Sequence, residues 1–243
     1  MSVMLQASPL SGTKQNAQTV AFWPMIDGGT PRQTGESALA PLQGIGATLR
    51  FKRNAAVFSE GDPSSHVYKV VSGAVRTCRV LMDGRRQIAD FFLPGDFFGL
   101  DWQSEHAFTA EAVSDAVIIS YPRAQIETLG DTEPGIRKLL MALLCKGLSE
   151  TQDHLVMLGR QTAQERLAWF LLTAMKRTSS SAKLDLPMSR LDIADYLGLT
   201  IETVSRGISE FKRRRYITVA GAHEITVRNA DMLQALASGE IEA

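Results

Sequence analysis

The stretch that decides the fold is Ser189-Arg190-Leu191-Asp192-Ile193-Ala194-Asp195-Tyr196-Leu197-Gly198-Leu199-Thr200-Ile201-Glu202-Thr203-Val204-Ser205-Arg206. Two helices meeting at a tight turn need a small residue where they cross, a residue tolerant of positive φ in the turn, and an apolar residue locking the second helix. Ala194, Gly198 and Val204 stand at those offsets. Ser189 and Thr200 each offer a side-chain oxygen to the unpaired N–H groups of a helix start. The spacing therefore predicts a helix-turn-helix. On its second helix Ile201, Val204, Ile208 and Phe211 form the expected buried stripe, with Leu197 and Leu199 facing it.

Glu202, Ser205 and Arg206 fall on the opposite face, in the first turns, where a docked helix meets base edges in the major groove of double-stranded DNA. Arginine can donate two hydrogen bonds to guanine, glutamate can accept from cytosine N4, and serine can do either. Ser189, Arg190, Thr200 and Thr203 sit where short polar or cationic side chains grip phosphates, and Lys212 and Arg213 are expected to add charge to that grip. Residues 200–217 carry five positive and two negative charges, the last four cations being the run Lys212-Arg213-Arg214-Arg215. Taken singly, Glu202 and Arg206 are an ordinary i,i+4 pair and the basic run an ordinary solvated helix end. Their coincidence with the helix-turn-helix offsets favours the DNA reading.

Working outward, a strand at Tyr216 to Val219, a turn at Gly221 and a returning strand at Glu224 to Val227 complete the order of a winged helix. Upstream, Thr162-Ala163-Gln164-Glu165 is a capping box opening a helix to about Lys176, and Thr178 to Ser181 reads as a flexible connection. Before it, Ile136, Leu139, Leu140, Leu143, Leu144, Leu148, Leu155 and Leu158 recur at helical spacing, with Asp131 or Thr132 as the cap and Pro134 in the first turn. One long amphipathic helix results. It exceeds what a small barrel needs as cover, so its second apolar face could meet the same helix of another subunit; the alternative is packing wholly within its own chain.

From Ala47 to Arg123, short β-branched and aromatic runs alternate with turn signals such as Asp83-Gly84 and Pro94-Gly95-Asp96, which suggests a β-barrel or jelly roll. Ala74 to Leu81, followed by Asp83-Gly84, reads as one arm of a hairpin. The expected class is α+β. Its expected division is a loosely ordered arm at 1–45, a β jelly-roll domain at 46–125, a dimerisation helix at 126–160 and a winged helix-turn-helix at 161–243.

Composition narrows the function. A chain of 243 residues with 44% apolar content suits two compact domains. Zero formal charge excludes a uniformly basic protein that coats nucleic acid, so any DNA affinity must be local. No run approaches the roughly 18 apolar residues of a membrane span, and no signal core opens the chain, so no membrane partner and a cytoplasmic location are expected. Cys78 and Cys145 alone indicate neither a disulfide framework nor a structural metal. No Ser-His-Asp set, glycine-rich phosphate loop or metal-ligand spacing points to an enzyme, and Glu127 and Asp131 near a helix start are explained by capping.

At this level of detail, residues 46–238 resemble the CRP/FNR superfamily of bacterial transcription regulators, in particular its FNR and FixK branch. The most specific part is Leu197 to Arg206, similar to the branch's E-x-x-S-R recognition helix. By that resemblance Glu202, Ser205 and Arg206 would read TTGA-type half-sites in an inverted repeat, the β region would be the effector-sensing jelly roll, and Thr132 to Leu158 the dimerisation helix. Cyclic-nucleotide-binding relatives carry G-E-L and a later arginine-serine pair; Gly99-Leu100-Asp101 and Phe108-Thr109-Ala110 stand in those places, leaving a phosphate without its charge partner. Oxygen-sensing relatives carry an N-terminal cysteine cluster, yet residues 1–77 contain no cysteine. His66, His106, His154 and His223 are scattered and read as ordinary rather than as haem ligands.

The expectation is thus a homodimeric activator that contacts RNA polymerase and binds DNA without a cofactor, as FixK-like members do. The alternatives are a small-molecule effector in the β domain, or oxidation of Cys145 on the dimer helix, where an apolar face would blunt the thiol.

Overall fold

The structure, a computed structural model, describes residues 40–42, 44–101, 103–177, 182–221 and 223–241. The expected arm at 1–45 lies mostly outside them, as does the connection at 178–181.

Eight strands, β1 (Ala47–Phe51), β2 (Ala56–Phe58), β3 (His66–Ser72), β4 (Val75–Val80), β5 (Arg86–Phe92), β6 (Phe97–Phe98), β7 (Thr109–Ala112) and β8 (Ala116–Pro122), form the N-terminal part. They pair antiparallel in two four-stranded sheets, ordered β1-β8-β3-β6 and β2-β7-β4-β5. That interleaved order is a jelly roll, which settles the alternative left by the strand pattern. The hairpin at Asp83-Gly84 is present, with Val80 paired to Arg86. Alternate residues turn inward because the pleat has a period of two, and Phe58, Tyr68, Val70, Val75, Phe98 and Ile118 meet between the sheets.

Helix α1 (Arg123–Thr132) was not foreseen, and the long helix α2 (Pro134–Arg160) starts later than expected. The region 126–160 is therefore not one helix. Pro134 takes the first helical position, and a proline pushes the residue before it out of helical ψ; Glu133 is extended at φ −113°, ψ 100° and caps α2 without a side-chain bond. Asp131 and Thr132 belong to the preceding helix, where the Thr132 hydroxyl donates back to the Thr128 carbonyl. Helix α2 buries Ile136, His154 and Met157 but leaves Met141, Leu144, Leu148, Leu155 and Val156 exposed. Two apolar faces on one helix were the expectation. Among the described residues, no helix is long and apolar enough to cross a membrane.

The C-terminal part comprises α3 (Ala163–Arg177), β9 (Lys183–Asp185), α4 (Arg190–Leu197), α5 (Ile201–Arg213), β10 (Ile217–Ala220), β11 (Glu224–Val227) and α6 (Ala230–Ala237). The Thr162 capping box forms as expected, with Thr162 N–H donating to Glu165 at 2.8 Å. Strand β9 joins the wing as a third strand, in the order β10-β11-β9. Leu167, Leu171, Leu184, Leu197, Val204, Phe211, Ile217 and Leu233 fill the core beneath it.

Candidate nucleic-acid interface

Helix α4 opens with a full capping box. The Ser189 Oγ accepts from Asp192 N–H at 3.1 Å and donates to Asp192 Oδ2 at 2.8 Å, while Ser189 N–H donates to the same oxygen at 3.0 Å. Both donors of Ser189 are therefore committed, and a phosphate contact through them has to displace Asp192. The helix ends at Gly198 with φ 62°, ψ 39°, a conformation that costs an L side chain energy and glycine none. The turn is tied from behind. The Arg166 guanidinium donates to the carbonyls of Gln161, Leu197 and Leu158, each at 2.9 Å, so one side chain of α3 joins the ends of α2 and α4.

Thr200 then caps α5, its Oγ1 accepting from Thr203 N–H at 3.2 Å. Val204, Gly207, Ile208 and Phe211 are the buried residues of this helix. Ile201, expected in that stripe, is 39% exposed. The physical reason lies at Gly207: a Cβ there would come within 2.7 Å of Leu167 Cδ2. Helix α3 thus crosses α5 at the glycine, nearly two turns further along than the isoleucine, and Ile201 is left at the edge of the core.

Glu202 and Arg206 are exposed and Ser205 is half-buried on the face of α5 away from the core. Hydrogen bonds from its own backbone N–H and from the Thr200 hydroxyl, with the Arg206 charge nearby, hold the Glu202 carboxyl below the usual range. It remains a pure acceptor at neutral pH, as reading a cytosine amino group requires. Among the described residues no ion pair within 4.0 Å joins Glu202 to Arg206, so the i,i+4 pair open to these two residues is not closed. An open groove of about 680 Å³ runs between Ala163 and Gln164 of α3 and Thr203, Arg206 and Gly207 of α5.

The basic run is less uniform than its sequence suggests. Glu210 accepts from Arg213 at 2.6 and 2.8 Å and from Arg214 at 2.6 Å, and those two guanidinium groups push its carboxyl down to about 2. Lys212 and Arg215 form no ion pair among the described residues. The i+3 and i+4 spacing from Glu210 was the signal that could have separated the four cations in advance. Arg215 adopts φ 62°, and the bonds Arg215 N–H to Lys212 O and Tyr216 N–H to Phe211 O complete a Schellman motif. The other expected phosphate residues are Arg190 and Thr203, half-buried, and Thr200, exposed, all at the starts of α4 and α5. Cys145 is exposed on α2.

The β domain keeps its chemistry inside. His106 stacks on Phe58 with ring centroids 3.6 Å apart and its Nδ1 pairs with Asp101 at 2.7 Å. The site where a cyclic phosphate would be expected holds Asp101 and Glu105, the Thr109 hydroxyl accepts from Glu60 N–H at 3.0 Å, and Ala110 is fully buried. These residues fit a cyclic nucleotide poorly: Phe108-Thr109-Ala110 supplies no cation of its own, and the guanidinium beside it, Arg79 over the Phe108 ring at 4.8 Å, is already paired with Glu60 at 3.0 Å.

Two known protein families match separate stretches of the chain. The Crp-like helix-turn-helix domain matches residues 165–236 and the cyclic nucleotide-binding domain matches residues 48–133. The nitrogen fixation regulation protein FixK of Rhizobium meliloti is 39% identical over 197 residues, covering 81% of this chain and 90% of that protein. The fumarate and nitrate reduction regulatory protein of Salmonella typhimurium is 31% identical over 192 residues, covering 76% of each. The structure of FixK2 from Bradyrhizobium japonicum superposes with a TM-score of 0.76 at 39% identity, covering 79% of this chain and 97% of that one.

Proposed function

The chain belongs to the CRP/FNR family of DNA-binding transcription regulators, and from that premise we propose that it is a homodimeric activator reading a TTGA-type inverted repeat and contacting RNA polymerase without a bound cofactor. The observation that carries the reading is the first two turns of α5, where Glu202, Ser205 and Arg206 lie on the face away from the buried Val204, Gly207, Ile208 and Phe211. Glu202 and Arg206 face the two members of a G·C pair, and Ser205 adjusts to either. Arg190, Thr200, Thr203 and Lys212 grip phosphates; Arg213 does so while held by Glu210, and Ser189 once Asp192 yields.

Dimerisation is supported by α2. Its 27 residues extend about 40 Å, and Met141, Leu144, Leu148 and Leu155 form an exposed seam at steps of three, four and seven residues, consistent with the heptad that two helices bury against each other. Independence from a cofactor is supported by the carboxylates Asp101 and Glu105 in that segment and by the pairing of Arg79 with Glu60 beside Phe108.

Selection of bound oligonucleotides by the purified, untreated protein tests the whole reading. Recovery of an inverted repeat with half-site centres about one helical turn apart is expected; recovery of no palindrome would contradict it.

A further inference from the structure

A cluster of charges joins the β domain to the helix-turn-helix. Arg76 of β4 and Arg86 of β5 both donate to Asp192 Oδ1 on α4, at 2.8 and 2.7 Å. Arg86 Nε also donates to Asp195 Oδ2 at 2.8 Å, and Arg76 is fixed from behind by Glu111 at 2.6 and 2.9 Å. The side chains of Arg76 and Asp192 are only 7% and 4% exposed. Gln87 Nε2 adds a bond to the Tyr196 carbonyl at 3.3 Å, and from the other side His154 Nε2 of α2 donates to that carbonyl at 3.0 Å. Asp192 thus does two things at once: one oxygen caps α4 through Ser189, and the other receives two arginines of the β domain.

A sealed ion cluster is a poor source of stability but a demanding geometric constraint. Guanidinium forks hold an acceptor in one place and direction, whereas an apolar contact tolerates sliding. Helix α4 therefore cannot rotate on the β sheet without separating Arg76 from Asp192, which are shielded from water, and Arg86 from Asp195, which are partly so. In a dimer built on α2, the distance and rotation between the two α5 helices follow from how each head sits on its own β domain.

We propose that Arg76, Arg86, Asp192 and Asp195 are positioning residues that set which half-site spacing the dimer accepts. The proposal rests on the homodimeric reading above. One inserted base pair displaces a half-site by roughly 3.4 Å and rotates it by roughly 35°, so a head held rigidly loses its second contact and a released head recovers it.

The test measures affinity for duplexes carrying two selected half-sites at the selected spacing, the same half-sites one base pair closer or farther, and a single half-site. The wild type, Asp195→Asn, Arg86→Gln and the double variant are compared. The wild type should bind the altered spacings at least about tenfold more weakly, and each single variant only about twofold more weakly, with single half-site affinity kept within about twofold. The double variant should match Arg86→Gln alone, because that change already removes the guanidinium that Asp195 accepts from as well as one of the two at Asp192. Equal spacing penalties in wild type and variants overturn the proposal. So does loss of single half-site affinity in step with the spacing effect, which would mark the cluster as a fold stabiliser alone. A wild type that gains nothing from a second half-site instead brings down the dimeric reading, and this proposal with it.

Discussion

The two ends of this chain use charge in opposite ways. On the exposed face of α5 several polar groups are left open: Glu202 and Arg206 stay apart and Lys212 faces solvent, while Glu210 closes on Arg213 and Arg214 alone. In and beneath the β domain they are closed upon one another, as Arg76 with Glu111 and Asp192, and Arg177 with Asp90 and Asp96. On the proposed reading, the difference separates residues available to meet DNA from residues that hold the molecule in shape. Open charges cost little stability and are available to bases and phosphates; closed ones are expensive to disturb and available to nothing else.

The most severe way to break this contrast is to open a closed charge. Arg76→Ala leaves Asp192 with Arg86 as its one remaining arginine and Glu111 with only the looser 3.9 Å contact to that side chain, and chemical denaturation should register a loss of about 3 kcal/mol. Arg206→Ala, on the open face, should stay within about 0.5 kcal/mol of wild type. Comparable losses for the two would erase the distinction.

A smaller effect should appear with pH at Asp90, whose carboxyl is pushed up to about 6 by burial against the partial counterweight of Arg177. Between the ordinary carboxylate range near 3.8 and about 6, the folded chain holds this proton and the unfolded chain does not. The contribution is therefore full at low pH and lost as pH rises through about 6. Because the Asp90 side chain keeps 32% exposure, about 1–2 kcal/mol is expected rather than the larger value of a fully dry group. Stability of wild type minus Asp90→Asn, followed from pH 4.5 to 8, should fall by that amount; a flat difference would remove Asp90 from the account.

The slightest effect belongs to Arg215, which occupies the left-handed position that ends α5. Arg215→Gly relieves that backbone and should raise the thermal midpoint slightly, by the equivalent of about 0.5–1 kcal/mol. A lowered midpoint would mean that the arginine side chain contributes more to the wing than its open surroundings suggest.

What the sequence made legible follows the same line between local and distant interactions. Ala194, Gly198 and Thr200 announced the turn because a crossing, a positive φ and a cap each demand a residue type at a fixed offset. The clear face of α5 followed from helical period alone. Ile201 was misplaced because the period cannot say where α3 crosses, and that point is set by Leu167 against Gly207. Pro134 was correctly seated in a first turn, yet its effect on Glu133, which splits α1 from α2, was overlooked. The Arg76 to Asp192 contact spans 116 residues, and no spacing rule links side chains that only the packing of one domain on another brings together.

The central claim, that α5 reads bases through its open face while the cations beyond it grip the backbone, is tested most directly by comparing Arg206→Ala with Lys212→Ala on the selected repeat and on the same repeat with one base pair changed in each half-site. Arg206→Ala should lose about 1–3 kcal/mol on the selected sequence and cease to discriminate at one position, whereas Lys212→Ala should weaken all sequences alike and lower the salt dependence by about one unit. Equal losses for both variants on every sequence would contradict it.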